Sequence, residues 1–216
     1  MSKELYKKHR PKSIKEVIGQ ETAISKLVNL MNELPQALLF TGPSGCGKTT
    51  LMRILKRELN CDGIDYMEIN SADFRGIDDV RRIRQRMTLA PINGDCRIWA
   101  IDECHKLTND AQNAMLKMLE DTPSHVYFFL ATTDPQKLLT TVKTRCTPVE
   151  VKAVPATVLS ELIDTVAKKE KVRIAEDARD LIVEASHGSP RQALVLLNQI
   201  YKIKKKKQTA VIQATY

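Results

Sequence analysis

The chain has 216 residues, enough for one substantial core and a small second unit. Its 43% apolar and 28% charged residues are ordinary for a globular protein, and no run of about 18 apolar residues is present to span a membrane. The net charge of +8 favours a polyanionic partner, although the plainer alternative is solubility alone. The opening MSKELYKKHR has no apolar block behind its basic residues, so no secretory leader is expected. Cys46, Cys61, Cys96, Cys104 and Cys146 stand apart, without a C-x-x-C pair. That spacing argues against a disulfide framework or a zinc site and fits a reducing, intracellular compartment.

The first candidate strand is ALLF (37–40), followed at once by TGPSGCGKTT (41–50). Gly42, Pro43, Ser44, Gly45, Cys46, Gly47, Lys48 and Thr49 fit G-x-x-x-x-G-K-[ST], with Thr50 directly after. Glycines let the backbone approach an anion, and successive N–H groups then point at phosphates. A helix follows, with Leu51, Ile54, Leu55 and Leu59 on one face, and its N-terminus favours the same anion. Lys48 is expected to reach the β and γ phosphates of ATP, and Thr49 to offer its hydroxyl to Mg²⁺.

Further candidate strands are YMEI (66–69), RIWAID (97–102), VYFFLATT (126–133) and PVEV (148–151). Several are apolar on both faces, as strands covered by helices should be. The βαβα alternation predicts a parallel sheet. RIWAIDECH ends in two carboxylates: Asp102 is placed to hold Mg²⁺, and Glu103 to polarise the attacking water. Thr108 is a candidate cap for the helix bearing Ala111, Ala114, Met115, Met118 and Leu119. ATTD (131–134) should lie between the loop and carboxylate strands or beside them, where Thr133 can sense the γ phosphate. A strand-end threonine with a local backbone bond is the other reading. Arg145, just before the last strand, is poorly placed for its own nucleotide but can serve a neighbouring subunit as an arginine finger.

After Val154 the pattern turns helical, at 156–170, 176–187 and 190–201. Gly188 should end one helix, Ser189 cap the next and Pro190 open its first turn. Arg191 then opposes the helix dipole, a conflict that a shared anion such as ATP would resolve; a solvated arginine is the alternative. The expected division is a nucleotide-binding core over 1–153, a three-helix lid over 154–203, and, over 204–216, a basic tail without clear period or the start of a further collar domain.

In this order the motifs resemble those of AAA+ clamp-loader ATPases, the bacterial polymerase III tau/gamma and replication factor C small subunits, over about residues 5–197. KKHRPKSIKEVIGQ (7–20) is similar to the family's N-terminal box, which implies Val17 and Ile18 at the adenine with Arg10 close by. ECHKLTNDAQNAMLKMLEDTP, ATTDPQKL, TRC and GSPRQAL resemble the segment after Walker B, sensor 1, the S-R-C finger and sensor 2. The resemblance implies an α/β fold: a P-loop core with a five-stranded parallel sheet, then a small helical lid. It also implies catalytic roles for Glu103, Lys48, Thr133, Arg191 and, in trans, Arg145. Three departures stand out: His9 replaces the usual aromatic before R-P, Thr144 replaces the serine of S-R-C, and the four-cysteine zinc module is missing. A short CDGID turn takes that module's place, so no zinc is expected. The family also carries a helical collar, about a hundred residues by the usual domain scale, of which the 216 residues offer at most the start.

RGIDDVRRIRQR holds five arginines on a helix that the resemblance turns toward DNA. Arg75, Arg81 and Arg82 are the candidate phosphate contacts, against the alternative of a solvated face paired with Asp78 and Asp79. The Lys202–Lys207 cluster reads as a solvated end. The implied function is an ATPase that loads a sliding clamp onto a primed DNA junction together with other loader subunits. The implied setting is cytoplasmic in bacteria or phage infection, and nuclear or in a viral factory elsewhere. The alternatives are a hexameric branch-migration motor and a non-hydrolysing scaffold subunit.

Overall fold

The structure, a computed structural model, describes the backbone of residues 4–71, 76–203 and 205–215. In chain order the first elements are α1 (Leu5–Lys8), α2 (Glu21–Leu30), β1 (Ala37–Thr41), α3 (Lys48–Glu58) and β2 (Tyr66–Asn70). Next come α4 (Ile77–Met87), β3 (Arg97–Asp102), α5 (Asn109–Glu120), β4 (Val126–Thr132), α6 (Thr140–Lys143) and β5 (Thr147–Glu150). The chain closes with α7 (Ala156–Lys169), α8 (Glu176–Ala185), α9 (Pro190–Ile200) and α10 (Lys205–Thr215).

Two compact units form. One comprises Thr22–Gly42 and Lys48–Val151. Its five strands make one parallel sheet in the order β2-β3-β4-β1-β5. All five expected strands are present, and β4 lies between β1 and β3, one of the two positions anticipated for it. Because the strands are parallel, their C-terminal ends share one edge: Thr41 pairs with Thr132, and Asn70 with Asp102. β1, β3 and β4 are almost wholly buried, which is why they read as unbroken apolar runs. The edge strand β2 is only half-buried. Trp99, Ile101, Phe128 and Leu130 pack with Val80 and Ile83 of α4 and Met115 and Met118 of α5. Each such side chain contributes about 1.5–3 kcal/mol on burial. Thr108 caps α5 as expected, its Oγ1 accepting from the Ala111 amide at 3.2 Å.

Ahead of β3 lies a buried ionic cluster. Asp65 is fully buried and accepts from the amides of Ile92 (2.7 Å) and Asn93 (3.3 Å). It also accepts from Arg97 Nε at 3.2 Å and Nη2 at 2.9 Å. Arg97 in turn donates to the carbonyls of Arg86 and Ala90, so one ion pair organises the whole α4–β3 connection. Burial alone would raise the Asp65 carboxyl; the Ile92 amide, the Arg97 guanidinium and the Asn93 amide outweigh it and hold it below the usual range.

The other unit comprises the chain up to Glu21, Pro43–Gly47, and the chain from Lys152 on. This grouping follows a different line from a simple division at 153–154. Leu5 of α1 is buried with Leu159, Ile163, Ile182, Leu197 and Ile200, and its amide donates to Asn198 Oδ1 at 3.3 Å. Gly188 has φ +78°, Ser189 Oγ accepts from the Gln192 amide at 3.3 Å, and Pro190 opens α9, as the H-G-S-P stretch predicts. The segment read as a basic tail or the start of a collar contains α10. Its anchor is polar: Gln208 is fully buried, accepts from the Ala175 amide and donates to the carbonyls of Arg173 and Ile203. A glutamine at the buried position breaks the apolar stripe by which such a helix is recognised. Among the described residues, no helix is long and apolar enough to cross a membrane.

Asp65→Asn would leave Arg97 buried without its counter-charge, and a loss of about 3 kcal/mol is expected in urea unfolding at neutral pH. Because the folded-state value of Asp65 is depressed, this contribution is full above the unfolded aspartate value of about 3.9 and fades as pH falls below it. The gap between wild type and variant should therefore narrow progressively as pH falls below about 3.9.

Candidate functional site

The loop after β1 is bent in ways that side chains resist: Gly42, Gly45 and Gly47 have φ of +137°, +74° and +114°. Gly42 is the tightest, since a Cβ there would sit 1.8 Å from the Val151 carbonyl oxygen. Lys48, the first residue of α3, is buried, and its Nζ donates to the Gly42 carbonyl at 2.7 Å. Buried lysines need such a partner. Thr49 Oγ1 donates to Asp102 Oδ2 at 2.8 Å, joining the start of α3 to the end of β3. Asp102 Oδ1 accepts from the Glu103 amide at 2.9 Å. The structure thus brings Gly42, Lys48, Thr49, Asp102, Glu103 and Thr133 into one cluster. Thr133 Oγ1 donates to Glu103 Oε2 at 3.1 Å. Thr50 lies within α3 and is half-buried.

The other part of the loop belongs to the helical unit. Gly45 lies against α9: a Cβ there would meet Ser189 Oγ at 2.2 Å and Arg191 Cβ at 3.2 Å. The Arg191 amide points to the Gly45 carbonyl at 3.4 Å, and its guanidinium lies 5.6 Å from the centre of the Tyr6 ring. Arg191 therefore stands beside this part of the loop. Cys46 Sγ is directed at the carbonyls of Ser44 and Gly188, while Pro43 and Ser44 are exposed. Gln20, which the sequence reading passes over, is buried and fastens the loop. Its Nε2 donates to the carbonyls of Cys46 (3.3 Å) and Lys152 (2.7 Å), and its Oε1 accepts from the Lys152 amide (3.0 Å). Arg10, Val17 and Ile18 are half-buried in the same unit. His9 is engaged by Glu170 at 2.5 Å, and Lys8 donates to the same carboxylate. Hydrogen bonds from Lys8 and His9 hold Glu170 below the usual carboxylate range.

The remaining candidates lie elsewhere. Arg145 donates through Nε to Glu120 Oε1 at 2.9 Å and through Nη1 to the Thr141 carbonyl at 2.9 Å. Arg81 and Arg82 are exposed and pair with Asp78 (2.9 Å) and Asp79 (3.6 Å) one turn back on α4. Such surface pairs are weak and exchangeable. Arg75 lies outside the described residues.

These groups fit a magnesium nucleotide. Gly42 and Gly45 are closed tightly against their neighbours, a buried ammonium faces the Gly42 carbonyl, and a hydroxyl and a carboxylate supply hard oxygen ligands side by side. The fold and this cluster define an α/β P-loop nucleotide-binding protein of the AAA+ class. Solved structures agree: the Thermotoga maritima RuvB Holliday junction branch migration motor superimposes with a TM-score of 0.73 at 26% identity. The match covers 95% of this chain and 71% of that one. Within the AAA+ class the chain is similar in sequence to DNA polymerase III subunits. Residues 64–155 match the family model described as DNA polymerase III, delta subunit. The chain is 34% identical over 221 residues to the Mycobacterium bovis DNA polymerase III subunit gamma/tau, covering 91% of this chain and 38% of that protein. It is 33% identical over 218 residues to the Escherichia coli subunit tau, covering 90% and 34%. The chain thus spans little more than a third of the length of these curated relatives.

Gly42→Ala would drive a methyl group into the Val151 carbonyl. At least a tenfold weakening of ATP binding is expected in a fluorescent-nucleotide titration.

Proposed function

We propose that the chain binds and hydrolyses ATP with Mg²⁺, and that it does so as one subunit of an assembly that loads a ring-shaped sliding clamp onto primed DNA. The observation that carries the reading is the Thr49–Asp102–Glu103–Thr133 cluster at the C-terminal edge of the sheet. The loop amides and Lys48 hold the phosphates; Thr49 and Asp102 hold the metal. Bound Mg²⁺ supplies charge neutralisation on the phosphate oxygens. Glu103 orients the attacking water and accepts its proton. Thr133 bonds Glu103 and reports on the γ phosphate. Arg191 adds positive charge beside the loop. Arg145 serves the adjacent subunit's nucleotide, leaving its intrachain partner Glu120 to do so. Arg75, Arg81 and Arg82 contact the DNA backbone without reading bases. The resemblance to gamma/tau subunits supports the replication setting.

A second reading is a branch-migration motor, which the likeness to RuvB favours. The two separate in an assay of phosphate release with clamp plus primed DNA against four-way junction DNA. Stimulation by the former and no strand displacement is the expected result.

Glu103→Gln should keep ATP affinity within about twofold and lower hydrolysis at least a hundredfold; equal loss of both would contradict the assigned role. Arg145→Ala in the assembled complex should reduce stimulated turnover about a thousandfold, within the usual range for an arginine finger. Nucleotide affinity of the isolated chain should stay unchanged.

A further inference from the structure

Glu103 sits in a left-handed backbone conformation (φ 53°, ψ 40°) that side chains other than glycine seldom adopt. It caps a single 3-10 turn, Cys104–Lys106, which contains His105. The turn folds the imidazole back toward the residue that starts it. His105 Nδ1 lies 3.5 Å from Glu103 Oε2, the oxygen that accepts from Thr133. The same Nδ1 is 2.9 Å from Thr132 Oγ1. Thr132 is fully buried, and its Oγ1 is itself fixed by the Asp134 amide at 3.0 Å. The ring is thus aimed by Thr132 from one side and set against Glu103 on the other. The side chain is only 11% exposed, so water does little to screen the pair.

Two tautomers satisfy the Thr132 contact: an unprotonated Nδ1 accepts from the Thr132 hydroxyl and turns a lone pair toward Glu103 Oε2, whereas a protonated Nδ1 donates to Thr132 Oγ1 at 2.9 Å and presents its positive edge to Glu103 Oε2 at 3.5 Å, the arrangement that favours the carboxylate. We propose that His105 is a positioning residue for Glu103: its Nδ1–H and the Thr133 hydroxyl together hold Oε2, which leaves Oε1 to take the proton from water. This rests on the reading of Glu103 as the proton acceptor. Thr132, buried and silent toward the nucleotide, is the support that keeps the ring in place.

The test is steady-state ATPase and nucleotide affinity on the full chain in its stimulated assembly, with Glu103→Gln alongside. His105→Leu should lower kcat about tenfold, with ATP affinity and KM within twofold. His105→Asn, whose amide nitrogen can take the place of Nδ1–H, should recover most of that loss. Thr132→Val, which frees the ring without removing it, should fall between. If His105→Leu melts early, the asparagine and Thr132→Val variants still decide the matter. In wild type, ¹⁵N shifts of His105 at neutral pH should report the Nδ1–H tautomer. Full activity in His105→Leu, parallel loss of kcat and affinity, no gain from asparagine, or an Nε2–H tautomer would each overturn the proposal. Hydrolysis surviving in Glu103→Gln would instead sink the reading of Glu103 beneath it.

Discussion

One hydrogen bond holds the C-terminal edge of the sheet together. Thr49 Oγ1 reaches Asp102 Oδ2 at 2.8 Å, across 53 residues of sequence. It fastens the first turn of α3 to the last residue of β3, and so registers a helix start against a strand end. The parallel sheet makes this possible, because each crossover returns the chain to the same end. With β4 inserted between β1 and β3, Thr132 and Thr133 arrive at that edge as well. Three strand ends supply the loop, the carboxylates and the hydroxyls, and no long irregular segment is needed to gather them.

Charge is managed in two ways. Inside, ions are matched closely: Lys48 on the Gly42 carbonyl, and Asp65 on Arg97 and two amides. Unmatched, each would cost several kcal/mol. Outside, the arginines of α4 make only short-range pairs that compete poorly with phosphate. The excess of +8 therefore resides on side chains that can change partners cheaply.

What was legible in sequence follows the range of the interactions involved. The phosphate loop, the strand ending at Asp102, the Thr108 cap and the Gly188-Ser189-Pro190 punctuation are local patterns, governed by backbone conformation a few residues wide. The sheet was legible because its inner strands are apolar on both faces. Gln20, His105, the Asp65–Arg97 pair and the Glu120 partner of Arg145 were not. Each is a polar residue whose meaning lies in a group distant in the chain, or on a neighbouring strand, and no periodicity marks it. α10 was hidden for a related reason, since the fully buried amide of Gln208 takes an inward position beside buried Ile212 and interrupts its apolar stripe.

The strand order also bears on synthesis. β1 has β4 and β5 as its neighbours in the sheet, so ALLF leaves the ribosome long before residue 126 exists to pair with it. At bacterial-to-eukaryotic elongation rates of about 5–20 residues per second, that delay is on the order of ten seconds. Throughout it, a strand that will lie almost wholly buried in the sheet is an unpartnered greasy ribbon. Nascent-chain folding must therefore wait on the late strands, and β2 and β3, able to pair with each other first, are the natural seed.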